Sequence, residues 1–288
     1  MWWEFGPVPE SWVRAHDDVI DEVWAATHWV RDHMVASGMD PARVHVVPLG
    51  IDPARFRSGR TPLDLGDAAP GFRFLFVGGL LWRKGVDILF DAYERAFDRS
   101  DDVTLVVKDF GAGGPYASQD GLARMTRLAQ NPRAARVAHF TGTLPEDDLP
   151  RLYSACNCLV HPYRGEGYGL TIAEAMACAL PVIVPDLGAC RDYATAETAL
   201  LVRSHEAQLG HMDIGGHRLA DFPRLVEIDV DDLAAAMRRA YEDRASAAAI
   251  GAAASAHMHT RHTWHHTAAA ALSRVATLTG ASVLPPDR

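Results

Sequence analysis

The chain has 288 residues, 48% of them hydrophobic and 23% charged, which is the composition of an ordinary soluble globular protein. Its formal net charge of −9 disfavours nucleic acid or an anionic membrane as a partner. An anionic ligand would therefore need a local cationic pocket. No apolar run reaches about 18 residues, so no membrane-spanning helix is predicted.

The four cysteines show neither metal-ligand spacing nor a paired disulfide framework. Cys156, Cys158 and Cys178 lie in apolar runs, and all four, including Cys190, are interpreted as buried reduced thiols. The first ten residues lack the basic and apolar regions of a signal peptide. Together these features predict a cytoplasmic protein.

The first 55 residues contain a strand and a helix in "DEVWAATHWVRDHMVASGM" and a strand ending in a turn in "VHVVPLGID". These elements form only the last part of an α/β unit, which cannot close a core of its own. We expect residues 1–55 to be the remnant of an N-terminal α/β domain with a linker. Apolar faces left uncovered there would favour self-association.

From residue 56 onward, short apolar strands alternate with amphipathic helices. Strands are predicted at 73–77, 103–108, 137–142, 158–162 and 181–185, and helices at 86–97, 121–130, 146–156 and 171–180. This alternation predicts an α/β domain with a doubly wound parallel sheet. Such sheets bind ligands at the carboxyl ends of their strands.

The pattern changes after residue 204. Residues 204–225 are predicted to be an inserted loop, and an Ala-rich stretch from about Asp231 to Thr279 is predicted to be helical, with Gly251 as a weak point. His262 and His266 have the i, i+4 spacing that can bind a metal, but no carboxylate is placed to complete a site. A solvated helix is favoured there, and no metal is predicted.

The segment "RGEGYGLTIAEAMACALPVIV", residues 164–184, carries two carboxylates, Glu166 and Glu174, around a glycine loop that follows a buried strand. Glycines and a helix start bring backbone N–H groups close to a phosphate. Carboxylates instead accept hydrogen bonds from sugar hydroxyls. Together they predict a site for a nucleotide sugar. The alternative is a capping box over Thr171–Glu174 with Glu166 as a solvated acid, which leaves the position of the loop at a strand end unexplained.

A second cluster lies in "FVGGLLWRKGVDIL", residues 76–89. A strand ends at Gly78 and Gly79, and Arg83 and Lys84 precede the next helix, where cations suit a diphosphate. The alternative is a solvated basic pair, which a helix start mildly disfavours. Neither "GGLLWRKG" nor "GAGGPY" at 111–116 gives a dinucleotide-binding G-x-G-x-x-G that opens a helix.

The segment "HPYRGEGYGLTIAEAMACALPVIV" resembles the E-x7-E region of retaining GT-B glycosyltransferases. The segments "VVPLGIDPARF", "FVGGLLWRKGVDIL", "TGTLPEDDLPRLYSAC" and "DVDDLAAAMRRAYED" are similar to that family in the expected order. The resemblance implies a Rossmann-like C-terminal domain that binds a UDP- or GDP-linked sugar without any cofactor. It also implies that residues 1–55 belong to an acceptor-side domain whose remainder is absent.

The resemblance assigns roles to particular residues. Glu166 would contact the donor sugar, Lys84 the diphosphate and Glu174 the ribose hydroxyls, with Arg83 supplying a cation that many members carry at Gly79. The nucleobase would lie near residues 108–111 and 142–144. The other donor-binding positions are Gly78, Gly167, Tyr168, Gly169, Leu170 and Thr171. Thr171 replaces a common proline neutrally, whereas Ala179 replaces a helix-ending glycine and is expected to strain the turn.

Two functions are therefore carried forward. The first is a glycosyltransferase that retains anomeric configuration, active once its N-terminal half is present as a fused or partner domain. The second is a non-catalytic module that only binds a nucleotide sugar. The predicted divisions are residues 1–55, the nucleotide-sugar-binding domain at 56–260, and a C-terminal helix and tail at 261–288. The acceptor is not specified by the sequence.

Overall fold

The computed structural model describes residues 1, 3–110 and 120–280. The strands of this part of the chain are β1 (Val23–Ala25), β2 (Val44–Val46), β3 (Phe72–Val77), β4 (Val103–Lys108), β5 (Arg136–Phe140), β6 (Cys158–Val160), β7 (Val182–Pro185), β8 (Leu200–Val202), β9 (Ser204–Gln208), β10 (Asp213–Ile214), β11 (His217–Arg218) and β12 (Arg224–Ile228). The helices are α1 (Glu10–Val19), α2 (His28–Ala36), α3 (Val86–Ala96), α4 (Gly121–Gln130), α5 (Asp148–Ala155), α6 (Leu170–Ala177), α7 (Val230–Glu242), α8 (Arg244–Arg261) and α9 (Trp264–Thr279).

The main sheet has six parallel strands in the order β5-β4-β3-β6-β7-β8. When these six strands are renumbered 1 to 6 in chain order, their order across the sheet is 3-2-1-4-5-6. This is the strand order of a doubly wound Rossmann-like fold. The predicted fold class is confirmed. The winding reverses between β3 and β6, so the loops after these two strands diverge and leave a crevice at the carboxyl edge of the sheet.

Alternation along β3 explains why helices cover both faces of the sheet. Phe72, Phe74 and Phe76 point into one apolar core with α3, α4 and α7. Leu75 and Val77 point into the other core with α5, α6 and α8. Because successive side chains of a strand face opposite ways, a strand that is apolar throughout must be buried on both sides.

Most elements predicted for residues 73–185 match the structure to within one or two residues at each end. The predicted loop at 204–225 is wrong, because this segment contains strands. β9 pairs antiparallel with β12, and β10 pairs with β11 around Gly215 and Gly216, both with positive φ. A Gly-Gly pair is a two-residue hairpin signal that the sequence reading missed.

The first 55 residues have a small core, contrary to expectation. β1 and β2 pair in parallel, and α2 packs on them around Val23, Val30, Met34 and Val44. Residues 3–9 also hydrogen-bond to the β9–β12 segment, through Arg224 N to Phe5 O and Ala220 N to Val8 O. Contacts distant in sequence therefore supply burial that this segment could not provide alone. The predicted domain divisions stay predictions.

The Ala-rich stretch forms three helices, α7, α8 and α9. Gly251 is no weak point, since a Cβ at this position would lie 2.4 Å from the Ala179 carbonyl oxygen, and only glycine allows α8 to approach so closely. The helix breaks at His262, and His266 lies in α9. The two histidines therefore do not share one helix face, although their i, i+4 spacing in the sequence would allow it. Instead His262 Nε2 lies 3.1 Å from His257 Nε2.

All four cysteines are buried and unpaired, as predicted. Burial raises the pKa of Cys156, Cys178 and Cys190 to about 12. In the ranges 1, 3–110 and 120–280, no helix combines the length and apolar character needed to span a membrane.

Ala179 has a φ of 60°, in the left-handed region that glycine adopts without strain. Holding alanine there costs roughly 1–2 kcal/mol, partly offset because glycine is more flexible when unfolded. We expect Ala179→Gly to raise the free energy of unfolding by about 0.5–1 kcal/mol in urea titrations. Ala252→Gly, on the exposed face of α8, should do the opposite. If Ala179→Gly instead lowered the free energy of unfolding, the inferred backbone strain at Ala179 would be contradicted.

Candidate functional site

The crevice lies between two loops at the carboxyl edge of the sheet. The β3 loop (residues 78–85) follows β3, and the β6 loop (residues 161–169) follows β6 and leads into α6. Gly85 fixes their separation, because a Cβ there would lie 1.8 Å from the Pro162 carbonyl oxygen. The backbone N–H groups of Arg164 and Gly165 both donate to the Arg83 carbonyl, at 2.8 and 3.0 Å. The two predicted sequence clusters thus form one site.

Lys84 and Glu166 form an ion pair across the crevice. Their side chains are only 15% and 11% exposed, so both charges are largely removed from water. Burial by itself would raise the pKa of Glu166, but the charges and hydrogen bond of its neighbours, with Lys84 the main contributor, together outweigh burial and hold that pKa below its usual value. Glu166 is therefore a carboxylate at neutral pH, beside a cation.

Arg164 holds this arrangement together and was not predicted as a site residue. It is buried, donates to both oxygens of Asp87 at 2.6 and 2.9 Å, and donates to Glu227 at 2.6 Å. Its guanidinium also donates to the Trp82 carbonyl and lies 4.5 Å from the Trp82 ring centroid. Two carboxylates offset one buried cation, and α3, β12 and both loops are joined through it.

The side chain of Arg83 makes contacts that are separate from the Arg164 network. It donates to the Gly165 carbonyl at 3.1 Å and pairs with Glu4 at 3.3 Å. The Glu4 carbonyl packs directly on Gly165. Sequence reasoning missed Glu4, since nothing local connects residue 4 to a loop about 160 positions later. The role predicted for Arg83 as a second diphosphate cation stays a prediction.

Side-chain donors occupy four carbonyl groups of the β6 loop. Arg83 binds that of Gly165, Thr27 Oγ1 that of Gly167, and Tyr193 Oη those of Tyr168 and Gly169. A peptide unit is planar and trans, so the N–H that follows each carbonyl points the opposite way. The N–H groups concerned, which make no hydrogen bond to any residue the structure describes, are those of Glu166, Tyr168, Gly169 and Leu170.

These amides lie at the start of α6. Gly169 is the N-cap residue, with a φ of 89°, and Leu170 and Thr171 begin the first turn. The first N–H groups of a helix have no partner within it and carry a partial positive charge. Such a loop and helix start are suited to an anion, and the donor-binding role of residues 167–171 stays a prediction.

Glu174 does not form the capping box that was the alternative interpretation. Its carboxylate instead accepts a hydrogen bond from the Tyr153 hydroxyl at 3.0 Å. Burial raises the pKa of Glu174 to about 7, opposed by the Tyr153 hydrogen bond and the Arg55 charge. The residue borders a cavity of about 530 Å³ between α6, residues 50–56 and the start of α9.

The other predicted positions lie around the end of β3. Gly78 N donates to the Lys108 carbonyl at 3.0 Å, which joins the ends of β3 and β4. Lys108 is buried, and its ammonium donates to the Asp109 and Gly142 carbonyls. The nucleobase position predicted at 108–111 and 142–144 falls partly on Gly111, which, like "GAGGPY", lies outside the described residues.

His161 directly follows β6 and is fully buried. Burial and the nearby Lys84 lower its pKa to about 3, so the imidazole is neutral. It stacks on Phe76 with ring centroids 5.6 Å apart. Within the described part of the chain, no three His, Cys, Asp or Glu side chains are grouped so that they could hold a metal ion.

Residues 71–211, which include both loops, match the family model Glycosyl transferases group 1. This part of the chain is similar to that family. D-inositol 3-phosphate glycosyltransferase 2 of Catenulispora acidiphila is 32% identical over 236 residues, 75% of this chain and 54% of that protein. The chain spans about a third to a half of the length of the curated relatives it matches.

Solved structures show that the fold is of the GT-B type. HepE of Anabaena in complex with UDP and glucose superposes with a TM-score of 0.69 at 19% identity, covering 94% of this chain and 66% of its own. The C-terminal domain of a group 1 glycosyltransferase from Francisella tularensis gives 0.55 at 17% identity, covering 73% of this chain and 97% of its own. The glycosyltransferase domain thus has the architecture that the sequence predicted.

Removing the Arg164 side chain should be strongly destabilising. Arg164→Ala leaves Asp87 and Glu227 without their cation, and breaking such a buried pair costs about 3–5 kcal/mol. We expect a lower urea midpoint with loss of nucleotide binding. Arg203→Ala is the control, since Arg203 is exposed and lies 3.5 Å from Asp232 at the surface. Equal stability in the two variants would show that the network is dispensable.

Proposed function

We propose that this chain is the donor-binding part of a retaining glycosyltransferase that uses a UDP- or GDP-linked sugar. The observation that carries the proposal is the set of four amides, of Glu166, Tyr168, Gly169 and Leu170, that point away from the protein donors, together with Lys84, which pairs with Glu166. Amides and an ammonium suit a diphosphate, and the nearby Glu166 carboxylate suits sugar hydroxyls. HepE, which shares the fold, was solved with UDP and glucose.

Charge neutralisation at the leaving group is the chemistry we assign to this site. When the bond between the anomeric carbon and the diphosphate oxygen breaks, negative charge grows on the diphosphate. Donors already fixed in place stabilise that charge without reorganising, which is a large source of rate acceleration. Lys84 and the start of α6 would supply these donors, and Glu166 would hold the sugar. Retention of configuration rests on the family resemblance alone.

The acceptor side would come from an N-terminal half, fused or supplied by a partner. Within residues 1 and 3–55, the structure describes two short parallel strands and two helices. Holding an acceptor hydroxyl against the anomeric carbon can account for roughly 7–11 kcal/mol of the barrier. A module that only binds the nucleotide sugar is the second candidate, because the crevice with Lys84 and Glu166 would serve binding in either case.

Lys84→Met tests the diphosphate role. Losing a charge-assisted hydrogen bond costs about 1.5–3 kcal/mol, so we expect UDP or GDP affinity to fall at least tenfold in calorimetry. The corresponding nucleoside should bind unchanged. Circular dichroism checks folding, and Arg203→Ala controls for general charge. Equal losses for nucleoside and diphosphate would exclude Lys84 as a diphosphate contact.

Glu166→Gln tests the sugar role. It removes the carboxylate but keeps the side-chain shape, so the free nucleoside diphosphate should bind as well or better. The extra affinity for a nucleotide sugar over the free diphosphate should shrink, since an amide oxygen accepts hydroxyl hydrogen bonds more weakly. An unchanged affinity ratio would place the sugar elsewhere.

Transfer by this chain alone separates the two candidate functions. We expect the isolated 288-residue chain to bind donor but to transfer sugar negligibly, and to self-associate in size-exclusion chromatography. Adding an N-terminal Rossmann-like half should restore transfer if the chain is part of an enzyme. A binding module would stay inactive. Robust transfer by a monomer of this chain would refute the need for a second half.

A further inference from the structure

Glu174 has one carboxylate oxygen engaged and one available. Tyr153 Oη donates to Oε2 at 3.0 Å, whereas Oε1 makes no hydrogen bond to a described residue. The carboxylate borders the cavity of about 530 Å³, whose other lining includes Arg55, Asp52 and Trp264. A hydroxyl-bearing ligand in that cavity could donate to Oε1 without disturbing Tyr153.

Tyr153 is held rigidly in place. It lies on α5 in the apolar core, with only 1% of its surface exposed, and its ring packs against Phe56 with centroids 6.3 Å apart. Burial raises the pKa of Tyr153 well above 10, so its hydroxyl keeps its proton at physiological pH. Tyr153 is thus a fixed donor aimed at one oxygen of Glu174.

We propose that Tyr153 is a positioning residue that keeps Glu174 ionised and turned toward the cavity, so that Glu174 can accept hydrogen bonds from the ribose of the donor nucleotide. The inference rests on the proposed function. A hydrogen bond to the charged form of a carboxyl favours that form. Without the Tyr153 hydroxyl, burial would raise the pKa of Glu174 further. The protonated acid would then accept hydrogen bonds from the ribose hydroxyls less well than the carboxylate does.

The groups around Glu174 define the expected pH dependence. Tyr153 faces it from α5, Arg55 from the linker and Cys178 from α6, and Asp52 and His265 lie on the cavity wall. Glu174 has a pKa of about 7, so it is mostly ionised above pH 7 and mostly protonated below it. Donor affinity should therefore rise with pH through this range.

The test is calorimetry from pH 6 to pH 9 with UDP-glucose or GDP-mannose, whichever binds. The diphosphate group of either ligand carries a constant charge over that range. The unsubstituted chain should bind more weakly as the pH falls through 7. Tyr153→Phe should move that decline to higher pH. If the pKa of Glu174 rises by about one pH unit, affinity at pH 7 falls about fivefold and recovers at pH 9.

Control variants separate positioning from packing. Glu174→Gln should bind weakly with a flat pH profile, and Tyr241→Phe, in the opposite core, should match the unsubstituted chain. A Tyr153→Phe loss that is equal at every pH, or no loss at all, would overturn the positioning role while leaving donor binding intact. Absence of binding by the unsubstituted chain would overturn the proposed function and this inference together.

Discussion

The buried guanidinium of Arg164 is the interaction on which the site depends. A charge in a protein interior is costly unless it is paired and hydrogen-bonded, and Asp87 and Glu227 provide both. Because these partners lie on α3 and β12, neutralising the charge also fixes where the two strand-end loops meet. The main chain of Arg164 completes the connection, with its N–H on the Arg83 carbonyl and its carbonyl on Val226 N–H. The geometry of the crevice follows from this one requirement.

The charges that face the crevice almost cancel. Glu166 offsets Lys84, and Glu4 offsets Arg83, so the side chains alone give little net attraction for an anion. The backbone supplies what is missing, because neutral amides attract an anion without adding a charge that must be balanced when the site is empty. A chain with a net charge of −9 can thus hold an anionic ligand through a few oriented backbone amides. This explains how it could do so with glycine at position 79, where the family resemblance implied an arginine.

The sequence was informative where function depends on neighbours in the chain. The parallel sheet followed from the alternation of short apolar strands and helices, and both loops of the site were predicted to follow strand ends. Glu4 could not have been predicted, because its partner Arg83 lies 79 positions away and no local sequence pattern connects the two residues. Tyr153 could not have been predicted as a site residue either, because a tyrosine on the apolar face of an amphipathic helix is typical of the hydrophobic core. The strands at 204–225 were missed for another reason, as their hairpin signal was present but outweighed by the polar composition of the segment.

The contact between residues 3–9 and the β9–β12 segment has a consequence for how the chain is made. Phe5 packs with Leu219 and Leu225, more than 200 positions away, so this part of the site has high contact order. At about 5–20 residues per second, a ribosome needs roughly 10–40 s to synthesise the intervening chain. During that time residues 5–8 lack their contacts with the β9–β12 segment, whereas β3 to β7 can already assemble. The Rossmann-like sheet should therefore fold first, and Glu4 should join the site as one of the last steps of biosynthesis.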